Sequence, residues 1–143
     1  MKKILITGCG GAASLSFQRS LRDAKTEEPY MLIGVDNDKY TIHRSECDRS
    51  YIGPNADDEK YIPYIIAIIR REGIEFMHMQ PDVEVLKIGE NRENILETGC
   101  KVYLPDQDII RLLQDKAMSY SVWKKAGIIL PWCLRTIPFV SAT

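Results

Sequence analysis

The stretch ILITGCGGAA, residues 4–13, decides the fold of this chain. The apolar run within Lys2 to Thr7 predicts a short buried strand, and the glycine cluster that follows ends it. Apolar residues then recur at helical spacing as far as Ala24, so a helix is expected after the glycines. Tyr30 to Val35 predicts a second strand. Two strands joined by a crossover helix form a βαβ unit, whose strands are parallel neighbours and whose hand is almost always right.

Strands and helices continue to alternate along the rest of the chain. Further strands are expected at residues 50–52, 74–79 and 102–104, and further helices at 57–71, 85–96, 106–113 and 115–126. Asn55 or Asp57 is the expected cap of the first of these helices. This alternation is typical of an α/β fold in which an open, doubly wound parallel sheet lies between two helical layers, a Rossmann-like arrangement. In such sheets ligands bind in the loops beyond the carboxyl ends of the strands.

Length, composition and charge exclude several classes of protein. The chain has 143 residues, 45% of them hydrophobic, which suits one domain with its own core and is too few for two. Nineteen Lys and Arg against twenty Asp and Glu give a net charge of -1, so no nucleic-acid partner is expected. No apolar run approaches the roughly 20 residues of a membrane span, and the run before Gly8 is too short for a secretory signal. We therefore expect a cytoplasmic protein without a membrane partner.

The sequence lacks the usual signatures of zinc sites and of nucleophilic catalysis. The four cysteines stand far apart with no C-x-x-C pair, so structural zinc is not expected. His43 and His78 have no Cys or Ser partner in a known arrangement, and we interpret both as ordinary polar residues. Cys9 lies where a helix is expected to begin, a place that can lower a thiol pKa. It is therefore either a reactive thiol or simply a small residue in a crowded turn.

The glycine cluster matches a phosphate-binding pattern. Gly8-x-Gly10-x-x-Ala13 has the spacing of the dinucleotide fingerprint between a strand and a helix, and Asp36 ends the next strand. We expect the N–H groups of Gly10 and Gly11 to serve as donors for an anionic group of a ligand. Three alternatives stay open: an NAD(P)-binding domain with Asp36 on a ribose, a non-catalytic module for a small molecule or partner, and a tight turn without a ligand. A Walker loop is excluded because no Gly-Lys-Ser/Thr follows.

Two carboxylates follow the fourth expected strand, at the edge of the sheet where ligands bind. Asp82 either caps the next helix or contacts a ligand, whereas Glu84 has less structural reason to be there. Glu90 and Glu93 lie deeper in that helix and are interpreted as solvated. Lys116 opens the last predicted helix, where a cation opposes the helix dipole, so a functional role is weakly indicated.

Several of these segments together closely resemble the N-terminal domain of ATP-grasp ligases. They are the opening ILITGCGG, the strand end GVD at 34–36, the edge QPDVEV at 80–85, and QDK at 114–116 with WKKAGI at 123–128 and Pro131. Among these ligases the chain is most similar to the carbamoyl-phosphate-synthase-like carboxylate–amine ligases. The resemblance covers the chain to about Pro131. Its most specific element is the Asp-Lys pair placed one helix before Gly-Ile and Pro, because an NAD domain has no reason to carry that pair there.

The resemblance implies a domain organisation and an activity. Residues 1–131 would form the pre-ATP-grasp domain, and 132–143 would begin a linker to an ATP-grasp catalytic domain beyond Thr143. In this family ATP phosphorylates a carboxylate and an amine captures the acylphosphate. The parent protein is thus expected to be a ligase that uses ATP and Mg²⁺, and this chain alone an inactive fragment that binds neither tightly. Its expected partners are a small carboxylate or amine acceptor and the catalytic domain, and a homodimer is also considered.

The resemblance also assigns roles to residues of this chain. Lys116 matches the lysine that reaches the nucleotide phosphates, where its point charge offsets their negative charge. The face carrying the glycine loop and Glu84 matches the face that meets the acceptor. The residues expected to bind substrate are Gly8, Gly10, Gly11, Asp36, Asp82 and Glu84. No catalytic or metal-binding residue is assigned within the chain, because the magnesium carboxylates of the family belong to later segments.

Overall fold

A five-stranded, all-parallel sheet forms the centre of the computed structural model, which describes residues 1–24 and 26–129. The strands are β1 Lys2–Thr7, β2 Tyr30–Asp36, β3 Arg49–Ile52, β4 Phe76–His78 and β5 Lys101–Val102. Their order across the sheet is β3-β2-β1-β4-β5. The predicted doubly wound α/β fold is confirmed. The direction of winding reverses between β1 and β4, so the loops after these two strands border the crevice in which such sheets bind ligands.

Six α-helices and one short 3-10 helix connect or follow the strands in the described part of the chain. The α-helices are α1 Ala12–Asp23, α2 Tyr61–Glu72, α3 Asp82–Glu90, α4 Arg92–Leu96, α5 Gln107–Gln114 and α6 Lys116–Lys125, and the 3-10 helix is Ile42–Arg44. None of these helices is long and apolar enough to cross a membrane. The linker predicted at 132–143 lies outside the described residues.

Alternating side chains of β1 build two cores, one on each face of the sheet. Ile4 and Ile6 pack with Phe17 and other residues on the α1 side, while Leu5 points to the opposite face and joins the core with α2 and α3. Full burial of each such aliphatic side chain contributes about 1.5–3 kcal/mol. Because both faces of the sheet are covered, the central strands are apolar throughout, which is why they read as continuous hydrophobic runs in the sequence.

Helix α2 begins later than its acidic residues predict. The prediction that Asn55 or Asp57 caps this helix is wrong. The helix starts at Tyr61, with Lys60 at the cap position and no side-chain cap. The Asp58 carboxylate instead accepts a hydrogen bond from the Lys60 N–H at 2.8 Å, in a separate turn. Pro63 therefore falls in the first helical turn, where a proline removes no helical hydrogen bond.

The helix predicted over 85–96 is divided in two. Helix α3 ends at Glu90, and α4 begins at Arg92 after a break at Asn91, whose side chain donates to the Lys87 carbonyl at 2.9 Å. An asparagine that bonds the backbone locally competes with continuation of the helix. The break turns the second half of the segment toward β5.

A polar cluster joins the end of α2 to β3. Glu72 is buried, and its carboxylate accepts hydrogen bonds from the Tyr51 hydroxyl at 2.6 Å and from the Arg49 guanidinium at 2.9 Å. The hydrogen bond from Tyr51, followed by the one from Arg49, holds the pKa of Glu72 below its ordinary value. The edge strand β3 is thus fastened by side chains as well as by its pairing with β2.

Candidate functional site

A cleft of about 290 Å³ opens at the point where the sheet changes its direction of winding. The glycine loop after β1, the loop after β2 and the first turn of α3 form its walls. Among the residues that line it are Gly8, Gly11, Asp36, Asp38, Thr41 and Glu84. Four residues expected to bind substrate, Gly8, Gly11, Asp36 and Glu84, therefore meet here.

The glycine loop contacts the loop after β4 directly. Gly8 has a φ of +58°, and a Cβ built on it would lie 2.6 Å from Cγ of Pro81. An L side chain would be strained at this φ and would also collide with the proline ring. Gly8 thus provides the tight turn that the fingerprint requires, and it brings the start of α3 next to the end of β1.

Gly10 and Asp36 connect the first two loops. The Gly10 N–H donates to Asp36 Oδ2 at 2.8 Å, and the Gly11 N–H donates to the Gly8 carbonyl at 3.0 Å. Asp36 Oδ1 accepts from the Asp38 N–H at 3.0 Å. The expectation that Gly10 and Gly11 offer free donors to an anion is therefore wrong, because the protein itself uses both N–H groups.

The backbone of the second loop also covers Gly10. A Cβ built on Gly10 would lie 2.1 Å from the Thr41 carbonyl oxygen. In the dinucleotide fingerprint the second glycine allows a pyrophosphate to approach the backbone. Here the close approach is made by Thr41, and Asp36 is bonded to the loop rather than left exposed for a ribose.

Glu84 is the most unusual side chain of the cleft. It is only 5% exposed, and its Oε2 has no hydrogen-bond partner among the described residues. The hydroxyls of Thr7 and Tyr61 are completely buried beside it. They are close enough to favour the charged form of the Glu84 carboxyl, but neither makes a hydrogen bond of normal geometry within the described residues. Since buried polar atoms are nearly always hydrogen-bonded, this cluster of three has hydrogen-bonding capacity that water or a ligand can use.

Burial controls the protonation of this group. It raises the pKa of the Glu84 carboxyl to about 7, and the negative charge of Asp36 adds to the rise, while the hydroxyls of Thr7 and Tyr61 oppose it. Burial, followed by the charge of Glu84, also raises the pKa of Tyr61, which stays a neutral phenol at physiological pH. Glu84 can therefore gain or lose a proton near neutral pH, which is the property that a general acid or base needs.

Besides Gly10, two predicted site residues are not among the residues that line this cleft. Asp82 is exposed in the first turn of α3 and does not cap it, because Pro81 is the cap residue and no side-chain cap forms. Lys116 is exposed at the start of α6, where the Asp115 carboxylate caps the helix through the N–H groups of Ala117 and Met118, at 2.9 and 3.0 Å. Lys116 therefore opens α6 as predicted. Its role toward a nucleotide stays a prediction.

Sequence reasoning did not single out Thr7, Tyr61 or Thr41 as site residues. Thr7 and Tyr61 read as members of an apolar strand and an apolar helix, and Thr41 lies in a segment without a clear period. Thr7 could have been predicted as a site residue, because it is a polar residue at the end of an apolar strand and directly precedes the glycines. No comparable signal marks Tyr61, because only packing brings α2 against the end of β1.

Solved structures share this fold at low sequence identity. N5-carboxyaminoimidazole synthetase from Staphylococcus aureus, complexed with ADP, is 17% identical with a TM-score of 0.61, over 88% of this chain and 30% of that one. The biotin carboxylase domain dimer of Hydrogenobacter thermophilus 2-oxoglutarate carboxylase, with MgADP, ADP and bicarbonate, is 23% identical with a TM-score of 0.55. The match covers 88% of this chain and 27% of that one. dTDP-glucose 4,6-dehydratase from Bacillus anthracis, with NAD, is 12% identical with a TM-score of 0.53. The match covers 71% of this chain and 36% of that one. The chain thus spans about a third or less of the two ADP-bound relatives.

The family is established by sequence. Residues 4–103 match the family described as PylC-like, N-terminal domain. A search of curated proteins finds no match. The family match covers three of the segments that carry the resemblance to the N-terminal domain of ATP-grasp ligases, namely the glycine loop, the Asp36 strand end and the Glu84 edge, and it confirms that resemblance. The segments at 114–116 and 123–128 lie beyond the matched residues. The chain belongs to the PylC-like N-terminal domain family.

Proposed function

We propose that this chain is the acceptor-binding N-terminal domain of an ATP-grasp ligase, which joins a carboxylate to an amine through an acylphosphate. The observation that carries the proposal is the group of three buried polar atoms beside the cleft, Thr7 Oγ1, Tyr61 Oη and Glu84 Oε2, none of which makes a hydrogen bond of normal geometry within the described residues. A ligand that reaches them would satisfy hydrogen bonds that the protein leaves open, and each such bond to a buried group is worth about 1–3 kcal/mol.

The charges around the cleft favour the amine of the acceptor over an anionic group. Asp36, Asp38 and Glu84 all line the cleft, whereas no Lys or Arg among residues 1–24 and 26–129 does. The N–H groups of Gly10 and Gly11 are already bonded, so the glycine loop does not offset these carboxylates. An ammonium group has only donors, and it would complement both the carboxylates and the lone pairs of the two hydroxyls.

Glu84 would then do more than bind the amine. With a pKa raised to about 7, its carboxylate can take a proton from the bound ammonium, leaving the neutral amine with a free electron pair. That pair forms the new C–N bond at the carbonyl carbon of the acylphosphate. Phosphate leaves with the C–O bond electrons and takes up the second proton, which the nitrogen loses as the amide forms. Tyr61 and Thr7 hold the carboxyl and the amine in position.

ATP and Mg²⁺ belong, in this proposal, to the catalytic half of the ligase. Among residues 1–24 and 26–129, no three His, Cys, Asp or Glu side chains come together in a group that could hold a metal ion. Lys116 is exposed at the start of α6 and is free to contribute a positive charge to nucleotide phosphates at a domain boundary. When bound, the nucleotide and its metal supply the phosphoryl group that activates the carboxylate.

The proposal can be tested by following backbone amide signals of the chain by NMR during titration. The probes are free amino acids and, as matched controls, the same amino acids with an acetylated amine. We expect at least one free amino acid to shift the signals of Thr7, Gly8 and Glu84, and its acetylated form to leave them unchanged. Equal shifts from both forms would contradict the assignment of the amine to Glu84.

Calorimetry separates the proposal from a dinucleotide-binding function. NAD, NADP, ATP and ADP are titrated separately into the chain. We expect no micromolar binding of NAD or NADP, because Thr41 and the bonded Asp36 occupy the places that a dinucleotide would need. Micromolar binding of either dinucleotide would overturn the ligase assignment of this site.

A further inference from the structure

Two cysteines that lie far apart in the sequence meet beside the glycine loop. Cys9 belongs to that loop and is completely buried, whereas Cys47, just before β3, is only partly buried. Both are free thiols, and both side chains pack in the apolar cluster on the α1 side of the sheet. Neither thiol has a part in the proposed ligase function.

Hydrogen bonds already hold the two backbone segments together. The buried Gln18 amide donates to the Cys9 carbonyl at 2.7 Å, and its oxygen accepts the Glu46 N–H at 2.7 Å. One side chain of α1 therefore fixes both the glycine loop and the residue next to Cys47. A bond between the two cysteines would join segments that are already neighbours.

The space around the sulfur atoms is shaped by a glycine and two serines. A Cβ built on Gly34 would lie 2.6 Å from Cys9 Sγ and 3.0 Å from Ser50 Oγ, so the thiol lies over Gly34 next to that hydroxyl. Ser50 Oγ bonds Ser45 Oγ at 3.2 Å, and Ser45 Oγ accepts the Cys47 N–H at 3.2 Å. Cys9 thus lies beside the Ser50 hydroxyl and Cys47 beside the Ser45 hydroxyl, and these two hydroxyls are bonded to each other.

The two thiols also affect each other's ionisation. The neighbouring Cys47 thiol lowers the pKa of Cys9, and Cys9, together with burial, raises the pKa of Cys47. Such an arrangement shares protons within the pair, so the pair rather than either cysteine sets the thiolate population. The Ser45 and Ser50 hydroxyls favour the thiolate of Cys9 further.

We propose that Cys9 and Cys47 close reversibly into a disulfide that fastens the segment 38–47 to the glycine loop. The oxidant is a low-molecular-weight disulfide such as glutathione disulfide. When the shared proton lies on Cys9, the thiolate of Cys47, the less buried member, attacks the oxidant and releases one glutathione. Cys9 then loses that proton, and its Sγ attacks Cys47 Sγ and releases the second glutathione. Two protein thiols lose two protons and two electrons in total, and one glutathione disulfide becomes two glutathione thiols.

The disulfide would act on the wall of the cleft. The segment 38–47 contributes Asp38 and Thr41 to the cleft lining, and the Thr41 backbone lies on Gly10. A covalent bond between Cys9 and Cys47 would hold this wall in place and slow the local opening of the loop. The oxidised form therefore has a more rigid cleft than the reduced form.

Peptide mapping tests the proposal on the unmodified 143-residue chain. The native chain is incubated with excess glutathione disulfide, its remaining thiols are alkylated after an acid quench, and tryptic peptides are analysed by mass spectrometry. Cys9 lies in peptide 4–19 and Cys47 in peptide 45–49, while Cys100 and Cys133 lie in 93–101 and 126–135. We expect the 4–19 and 45–49 peptides to be linked in most molecules and to separate on reduction with dithiothreitol.

Two controls show that the fold brings the thiols together. At a fixed glutathione ratio, we expect the linked population to be at least about tenfold larger in native buffer than in urea, since folding raises the effective concentration of one thiol at the other. In the oxidised chain, hydrogen exchange at the Gly10 N–H should slow, and Cys47→Ser should show no such change. The proposal is refuted if Cys9 and Cys47 stay alkylatable, if Cys47 keeps a mixed disulfide with glutathione, or if urea does not reduce the linked fraction.

Discussion

Replacing Glu84 with glutamine should make the protein more stable at alkaline pH. The carboxyl is 5% exposed, and burial raises its pKa from 4.5 to about 7. The folded state therefore binds this proton more tightly than the unfolded chain does. The stability associated with the protonated carboxyl is complete below pH 4.5 and is lost as the pH rises through about 7.

The size of the effect follows from the difference between the two pKa values. A rise from 4.5 to about 7 is a difference of about 2.5, and at about 1.4 kcal/mol for each pH unit the ionised carboxylate costs about 3 kcal/mol in the folded state. Glutamine has nearly the same shape and no charge. We therefore expect Glu84→Gln to raise the free energy of unfolding by up to about 3 kcal/mol at pH 8.5, and to change it little at pH 4.5.

Urea unfolding followed by circular dichroism at the two pH values measures this difference. Asp82→Asn is the matched control, because Asp82 lies in the same first turn of α3 but is exposed. The control should lose only the favourable interaction of a carboxylate with the helix dipole, about 0.3–1 kcal/mol, and should gain nothing at pH 8.5. If Glu84→Gln is destabilised equally at both pH values, the Glu84 carboxylate is not penalised by burial and the reasoning fails.

Three further substitutions test other parts of the structure. Gly10→Val should lower the free energy of unfolding by about 2 kcal/mol or more, because its Cβ would lie 2.1 Å from the Thr41 carbonyl oxygen. Gly11→Ala should lower it by less, because its Cβ would lie 3.2 Å from the Gly8 carbonyl oxygen; equal urea midpoints for the two variants would contradict this. Lys116→Ala should change stability by no more than about 0.5 kcal/mol, but should raise the KM for ATP in a ligase that carries this domain; an unchanged KM would remove the assigned role. Tyr51→Phe should cost about 1 kcal/mol at pH 7, because its hydroxyl holds the pKa of Glu72 below the ordinary value. The cost should shrink as the pH falls through that lowered pKa and Glu72 is protonated; a cost that stays constant down to the pH of acid unfolding would refute this.

The fold could be predicted from the sequence because its strands are continuous apolar runs. Strand β1 matches its prediction at Lys2–Thr7, and β2 extends one residue beyond its predicted end, through Asp36. Element boundaries were less predictable where polar residues act locally. The acidic run after Asn55 looks like a helix start, yet it forms a turn, and Asn91 interrupts a helix whose apolar spacing continues across it.

The candidate site was predicted only in part. The glycine loop, Asp36 and Glu84 each follow a strand, and parallel strands end at one edge of the sheet, so their meeting could be foreseen. The hydrogen bonds between these segments could not be predicted. Whether the Gly10 N–H is free or is bonded to Asp36 depends on how the loop after β2 folds back, and the sequence of that loop has no periodic pattern.

The sequence by itself determined the family, the order of strands and helices, and the edge of the sheet where the site lies, because these depend on local patterns of apolar residues, glycines and short motifs. Only the tertiary structure decided that Glu84 is buried beside Thr7 and Tyr61, that Thr41 covers Gly10, and that Cys9 meets Cys47. The physical reason is that burial and the pairing of polar groups are set by residues distant in the chain. They therefore follow from packing and leave no mark on the local sequence.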